Sequence, residues 1–393
     1  MLRNKWPTQR RSLLIGAGAG AALAGLPCFG ADPRQARPLL PTRMLAFPRD
    51  HGAHPEAKTE WWYVTGMARK QDASPDSPPE FGFQLTFFRS SVDSTQGMTS
   101  SFAAKHLIFA HVAITDIKTG KFWHDQRIAR SSGVATTDIA AAGLRSTHVE
   151  LRDWSLKREP GPQGSGTSIY RAVLPTPQFA LDLSFQTSQS ILLQGYEGMS
   201  RKGPQASQTS FYYSQPQLSV KGKLSIQGKT LQVQGTAWLD HEWSNEMLHP
   251  EAVGWDWIGM NLDNGNALTA FQIRDKSGVA IWDGGSFRRP RNFNAKRAEE
   301  DRTEAFNRGD VSFKPIKYWK SPKSQAKYPI EWQVRTPTEL YTVRALVDNQ
   351  ELDSRASTGA IYWEGLSELV DSNNRRVGYG YLEMTGYAQP LRL

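Results

Sequence analysis

Between Gln234 and Ser244 the chain reads QGTAWLDHEWS, which sets Asp240, His241 and Glu242 between Trp238 and Trp243. On a regular strand side chains alternate between faces, so Trp238, Asp240 and Glu242 point one way and Leu239, His241 and Trp243 the other. Two carboxyl groups on one face repel, and when enclosed one of them holds its proton near neutral pH, as a general acid must. The candidate catalytic set is therefore Asp240 as acid, His241 as base or orienter, and Trp243 as aromatic stabiliser. The plainer alternative is two core tryptophans and three polar residues that hydrogen-bond a loop at the strand end.

Other chemistries find less support. The histidines show no metal-ligand spacing, so no metal site is predicted. Gly164-Ser165-Gly166 lacks the strand-turn-helix context of a serine nucleophile. No phosphate-binding glycine loop is present, and no cofactor is expected.

Elements that would carry these residues recur in two copies. His54-Pro55-Glu56-Ala57 precedes Trp61 and Trp62, and His249-Pro250-Glu251-Ala252 precedes Trp255 and Trp257, 195 residues on. Phe83-Gln84-Leu85 pairs with Phe271-Gln272-Ile273, and Phe211-Tyr212-Tyr213 with Ile361-Tyr362-Trp363. Gly235-Thr236-Ala237-Trp238 and Thr385-Gly386-Tyr387 close the two copies. Ordered similarity of this kind implies a duplicated fold. Period-2 patterning, as in Leu218, Val220, Leu224 and Ile226, predicts antiparallel strands, and Asn264-Gly265 predicts a hairpin turn. An antiparallel sheet that closes on itself removes its edges and leaves room for one apolar ligand. The expectation is an all-β protein of two tandem antiparallel β-barrels, residues 45–246 and 247–393, whose interiors meet the ligand. Trp61, Trp62, Trp238, Trp255, Trp257 and Phe271 are the candidate ligand-binding residues. Ala295 to Phe306 reads as a charged, helix-prone surface segment.

Residues 1–31 open with Arg3, Lys5, Arg10 and Arg11, and continue into a small apolar run, the pattern of a twin-arginine export signal. A periplasmic or secreted location follows as an expectation. The formal charge is +9, of which four positive charges lie in this segment. The remaining Lys and Arg are scattered among acids without a nucleic-acid motif, so nucleic acid is not an expected partner and peripheral membrane contact is at most weak. Cys28 is the one cysteine, which leaves a chain processed there without thiol chemistry.

The stretches His54-Pro-Glu, Glu60-Trp61-Trp62-Tyr63, Gly82 to Arg89, Ala110-His111-Val112, Leu239 to Trp243 and Gly254 to Trp257 resemble the AttH-like, lipocalin-like family, which also includes carotenoid hydratases. The resemblance runs from about Phe47 to Tyr387. It implies two lipocalin-like (calycin) barrels in a protein that is usually secreted and bacterial and often encoded beside an ABC transporter of the lipoprotein-release type. With the aromatic-rich copies and the export signal, the expectation is a protein that binds a lipid or isoprenoid and works with such a transporter. In the alternative it implies, the protein is a secreted hydrolase, or a hydratase that protonates an isolated C=C and lets water capture the cation. In the hydratase branch a His-x-Trp pair and a later Tyr-x-Asp pair carry the step. His241-x-Trp243 matches the first pair; the second is replaced by Phe271-x-Ile273, with Asp275 two residues on along the same face.

Overall fold

The computed structural model describes residue 40 and residues 42–74, 76–100, 102–132, 139–162, 167–246, 248–290 and 302–391. The predicted export signal, Cys28, Gly164-Ser165-Gly166 and residues 295–301 lie outside them. The described chain is almost entirely strand. The first copy supplies β1 (Thr59–Lys70), β2 (Phe81–Ser91), β3 (His106–Asp116), β4 (Lys121–Ser131), β5 (Ala140–Ala142), β6 (His148–Leu151) and β7 (Trp154–Pro160). It continues with β8 (Ser168–Pro175), β9 (Phe179–Gln186), β10 (Leu192–Leu193), β11 (Met199–Arg201), β12 (Thr209–Ile226) and β13 (Lys229–Ser244). The second copy supplies β14 (Ala252–Leu262), β15 (Ala267–Asp275), β16 (Ala280–Arg289), β17 (Arg302–Phe306) and β18 (Ser312–Lys320). Then follow β19 (Lys327–Arg335), β20 (Leu340–Ala345), β21 (Glu351–Ser354), β22 (Ala360–Val370) and β23 (Arg376–Met384).

Both sheets are antiparallel and wired alike. In the first the order is β4-β3-β2-β1-β13-β12-β9-β8-β7-β6-β5, and in the second β17-β16-β15-β14-β23-β22-β20-β19-β18. Each copy runs its first four strands as a meander and pairs its first strand with its last. The first sheet coils until β4 touches β5 and β6, which makes it nearly a barrel. Alternation gives the coiled sheet a packed inner face: β8 buries Tyr170, Ala172 and Leu174, β9 buries Phe179, Leu181, Leu183 and Phe185, and the intervening residues are partly covered or exposed. A two-residue turn at Gln227-Gly228 joins β12 to β13, with both residues at positive φ, and Gly265 takes positive φ in the β14–β15 turn.

Three apolar clusters result. One fills the inside of the first sheet and includes Trp62, Phe83, Leu239 and Trp243. A second fills the inside of the other sheet around Ile258, Trp332 and Trp363. The third lies in the seam between the sheets and joins Tyr63 and Trp238 to Trp257, Phe271 and Tyr381. Strands beside the seam are buried on both faces, as in β2 from Phe81 to Phe87 and β13 from Ala237 to Ser244.

Two expectations change. Arg302–Phe306, read from its charge as part of a helix, is a strand paired with β16, because edge pairing on an open sheet accepts a polar, half-exposed segment. The two interiors are packed with side chains, so the cavity expected in a barrel lumen lies instead in the seam between the sheets.

Candidate active site

A cavity of about 320 Å³ opens in the seam, mostly apolar in its walls. Trp61 and Tyr63 of β1 face Trp255 and Trp257 of β14 across it, with Phe271 and Ile273 of β15 alongside. Tyr63 and Trp257 meet edge to face at 5.5 Å. Five acids from four strands also line the cavity: Asp240 and Glu242 of β13, Glu364 of β22, Glu383 of β23 and, where the wall meets the first core, Glu60 of β1.

Asp240 is buried and held by three donors. Trp238 Nε1 donates to Oδ1 at 2.7 Å, Ser214 Oγ to Oδ1 at 2.5 Å and Tyr212 Oη to Oδ2 at 2.8 Å. Tyr212 Oη in turn accepts from Trp257 Nε1 at 3.3 Å. Burial outweighs these hydrogen bonds and pushes the Asp240 carboxyl up to about 7, with the Glu242 charge adding to the rise. Glu242 is compensated: Lys202 Nζ lies 3.0 Å away, Ser210 Oγ donates to it, and the ammonium also sits 4.3 Å over the Phe271 ring. Burial, reinforced by Asp240 and Glu242, pushes Glu383 up to about 8. Burial and then the neighbouring Glu383 drive Glu364 well above the carboxylate range. Among the described residues none of Asp240, Glu364 and Glu383 forms a salt bridge. Three carboxyl groups in one apolar space cannot all ionise, so the site stores protons at neutral pH.

His241 and Trp243 lie on the other side of β13, inside the first sheet. His241 stacks on Trp62 at 4.7 Å, with Nε2 2.9 Å from Glu60 Oε1 and Nδ1 3.2 Å from Tyr213 Oη. His54 stacks flat on Trp243 at 3.6 Å and places Nδ1 2.8 Å from the same Glu60 oxygen and Nε2 3.1 Å from Asp50. Arg89 Nε donates to Glu60 Oε2 at 2.8 Å. Burial works against the Glu60 charge, but hydrogen bonds from His241 and His54 and the Arg89 charge hold its carboxyl well below the usual range. Burial drops His241 to about 4, so its ring is neutral. Donor atoms of His54, Glu60 and His241 all lie within 4.8 Å of one another, the one such His and carboxylate grouping among the described residues. They are already one another's hydrogen-bond partners, and a guanidinium shares their carboxylate, which suits a structural clamp better than a cation site.

The structure therefore brings Asp240 together with Trp61, Trp255, Trp257 and Phe271. Trp238 backs Asp240 from behind, whereas His241, Trp243 and Trp62 belong to the first core. Asp275 does not reach the cavity: its Oδ1 accepts from the backbone of Ser277 and Val279 in the turn after β15. At the far end of the cavity His111, kept neutral by burial, contacts Tyr362 Oη at 2.9 Å and Ser357 Oγ at 2.8 Å.

Sequence reasoning missed Glu364 and Glu383, and the duplication held the signal. Tyr63 pairs with Asp240 as Trp257 pairs with Glu383, and Ser214 faces Asp240 as Glu364 faces Glu383. Glu383 is thus the second copy's counterpart of Asp240.

A search of curated proteins finds no match. A crystal structure of kievitone hydratase from Nectria haematococca has the same fold, with a TM-score of 0.63 at 12% identity over 88% of this chain and 94% of that one. A crystal structure of an AttH protein from Nitrosomonas europaea is 43% identical, with a TM-score of 0.76, over 89% of this chain and 99% of that one. The AttH-like family model matches residues 38–387. The chain belongs to the AttH-like family.

Proposed function

We propose that the chain binds a largely apolar small molecule, a lipid or isoprenoid in class, in the seam cavity and adds water across one of its C=C bonds. The observation that carries this reading is the set of three carboxyl groups without cationic partners in an aromatic-walled space. A carrier needs only the apolar walls; protonated acids set against them serve proton transfer. Glu383 is the donor, because Asp240 is engaged by three hydrogen bonds while Glu383, only partly covered and lining the cavity, has the Trp255 indole as its hydrogen-bonding neighbour. Its proton goes to one alkene carbon, the π pair forms the C–H bond, and the other carbon becomes cationic beside Trp61, Trp255 and Trp257. Water attacks that carbon, and its surplus proton returns to the Glu383 carboxylate. Kievitone hydratase supports the reading only as a fold that accommodates hydration chemistry.

Incubation with acyclic carotenes and squalene-like polyenes in ¹⁸O-water tests it. The reading expects a labelled alcohol from the wild type and about 10²- to 10⁴-fold slower formation of it by Glu383→Gln. The second reading is a carrier in the periplasm that hands its ligand to an ABC transporter, and the apolar walls favour it equally. Polyene binding by both proteins without product would replace the first reading with the second.

A further inference from the structure

Three buried side chains at the seam have polar atoms that no hydrogen bond accounts for. They are Tyr63 Oη on β1, both amide atoms of Gln84 on β2, and Glu364 Oε1 on β22. Tyr63, Gln84 and Glu364 are 6%, 1% and 2% exposed. Tyr63 and Gln84 stand close enough to the Glu364 carboxyl for weak hydrogen bonding that opposes the effect of its burial, yet among the described residues none of these four atoms reaches a partner at full hydrogen-bonding length and angle. Tyr63 and Glu364 also line the cavity. Buried polar atoms without partners are uncommon because each costs the full desolvation of the group, and four from two sheets at one place call for a common partner.

The chemistry of the four atoms selects that partner. Gln84 Nε2 and Tyr63 Oη donate, and Gln84 Oε1 and, with the carboxyl proton on Oε2, Glu364 Oε1 accept. A carboxylate or phosphate would find two acceptors against it, and an ammonium two donors. A small neutral group that donates and accepts fits all four. We propose that Tyr63, Gln84 and Glu364 form a socket for one water molecule, and that this is the water consumed in the addition. The second half of the proposal rests on the hydratase reading; the first half does not.

A high-resolution crystal structure of the ligand-free protein tests the socket. One ordered water should lie about 2.7–3.2 Å from at least three of the four atoms. Gln84→Leu and Tyr63→Phe should each melt about 2 °C lower than the wild type. A dry socket overturns the proposal, and so does a Gln84→Leu protein that melts at or above the wild-type temperature. With a polyene that is turned over, either variant should divert the cation to proton loss, lowering the ratio of alcohol to double-bond isomer. An unchanged ratio overturns the assignment of this water as the reactant. If the water is present but no polyene is hydrated, the socket stands and the hydratase reading falls.

Discussion

A carboxyl group that stays protonated at pH 7 is a matter of surroundings, and Asp240 and Glu383 share theirs. Each carboxyl is largely withdrawn from water among aromatic rings and near other acids, Asp240 fully and Glu383 in part, so ionisation costs more than hydrogen bonding returns. Glu383→Gln should lower kcat about 10²- to 10⁴-fold while leaving polyene affinity within a factor of a few, read by fluorescence titration of the cavity tryptophans. Wild-type turnover should fall as pH rises through about 8, where the donor loses its proton. The same shifts act on stability. Both folded-state values lie above those of exposed carboxyls, so their contribution is fully present below about pH 4 and is lost as pH rises through the folded values. Urea denaturation of the wild type should show stability declining between about pH 5 and 8. Asp240→Asn should remove much of that decline; an unchanged slope would mean that Asp240 ionises as an ordinary aspartate. Glu60 acts in the opposite sense: its carboxyl is held low, so its contribution is lost on acidification.

At the scale of single elements, β13 does two jobs with alternate residues. Trp238, Asp240 and Glu242 serve the seam, while Leu239, His241 and Trp243 serve the first core. On the core side Arg89 ties β2 to the turn ahead of β1: Nε donates to Glu60, and Nη2 to the carbonyls of His54 and Ala57 at 2.7 and 2.9 Å. Arg89→Ala should cost about 3–5 kcal/mol in chemical denaturation, because it strands a buried carboxylate. The alternation itself was legible in the sequence, as were the β class and the duplication. Which face of β13 meets the cavity was not, since both faces are buried and period 2 does not distinguish a lumen from a seam. The register of the second copy was also hidden. The 195-residue offset sets Trp62, which points into the first core, against Trp257, which points into the seam. A slip of one residue exchanges faces, and Tyr63 is the residue that shares the face of Trp257. A separate mismatch hid the equivalence of Asp240 and Glu383: the register makes Tyr381 the counterpart of Trp238, whereas the sequence match set Gly235 to Trp238 against Thr385 to Tyr387.

For the whole molecule, the consequence of duplication is a shared wall. Two similarly wired sheets set the first strand of each copy against the last strand of the other, and the outer faces of β1, β13, β14 and β23 together build a space that neither copy encloses alone. The seam cluster belongs to both sheets, so they should unfold together in a single calorimetric transition. Trp257→Ala, which removes the ring that meets both Tyr63 and Trp238, should cost about 3–5 kcal/mol and split or broaden that transition. The protonation state of the seam acids is open to direct measurement, with no substrate needed. Infrared difference spectra of the wild type against Glu383→Gln and Asp240→Asn should show protonated-carboxyl C=O bands at pH 6 that each variant loses and that vanish from the wild type as pH rises through about 7 and about 8. Spectra in which Asp240 and Glu383 are already ionised at pH 6 would contradict the account.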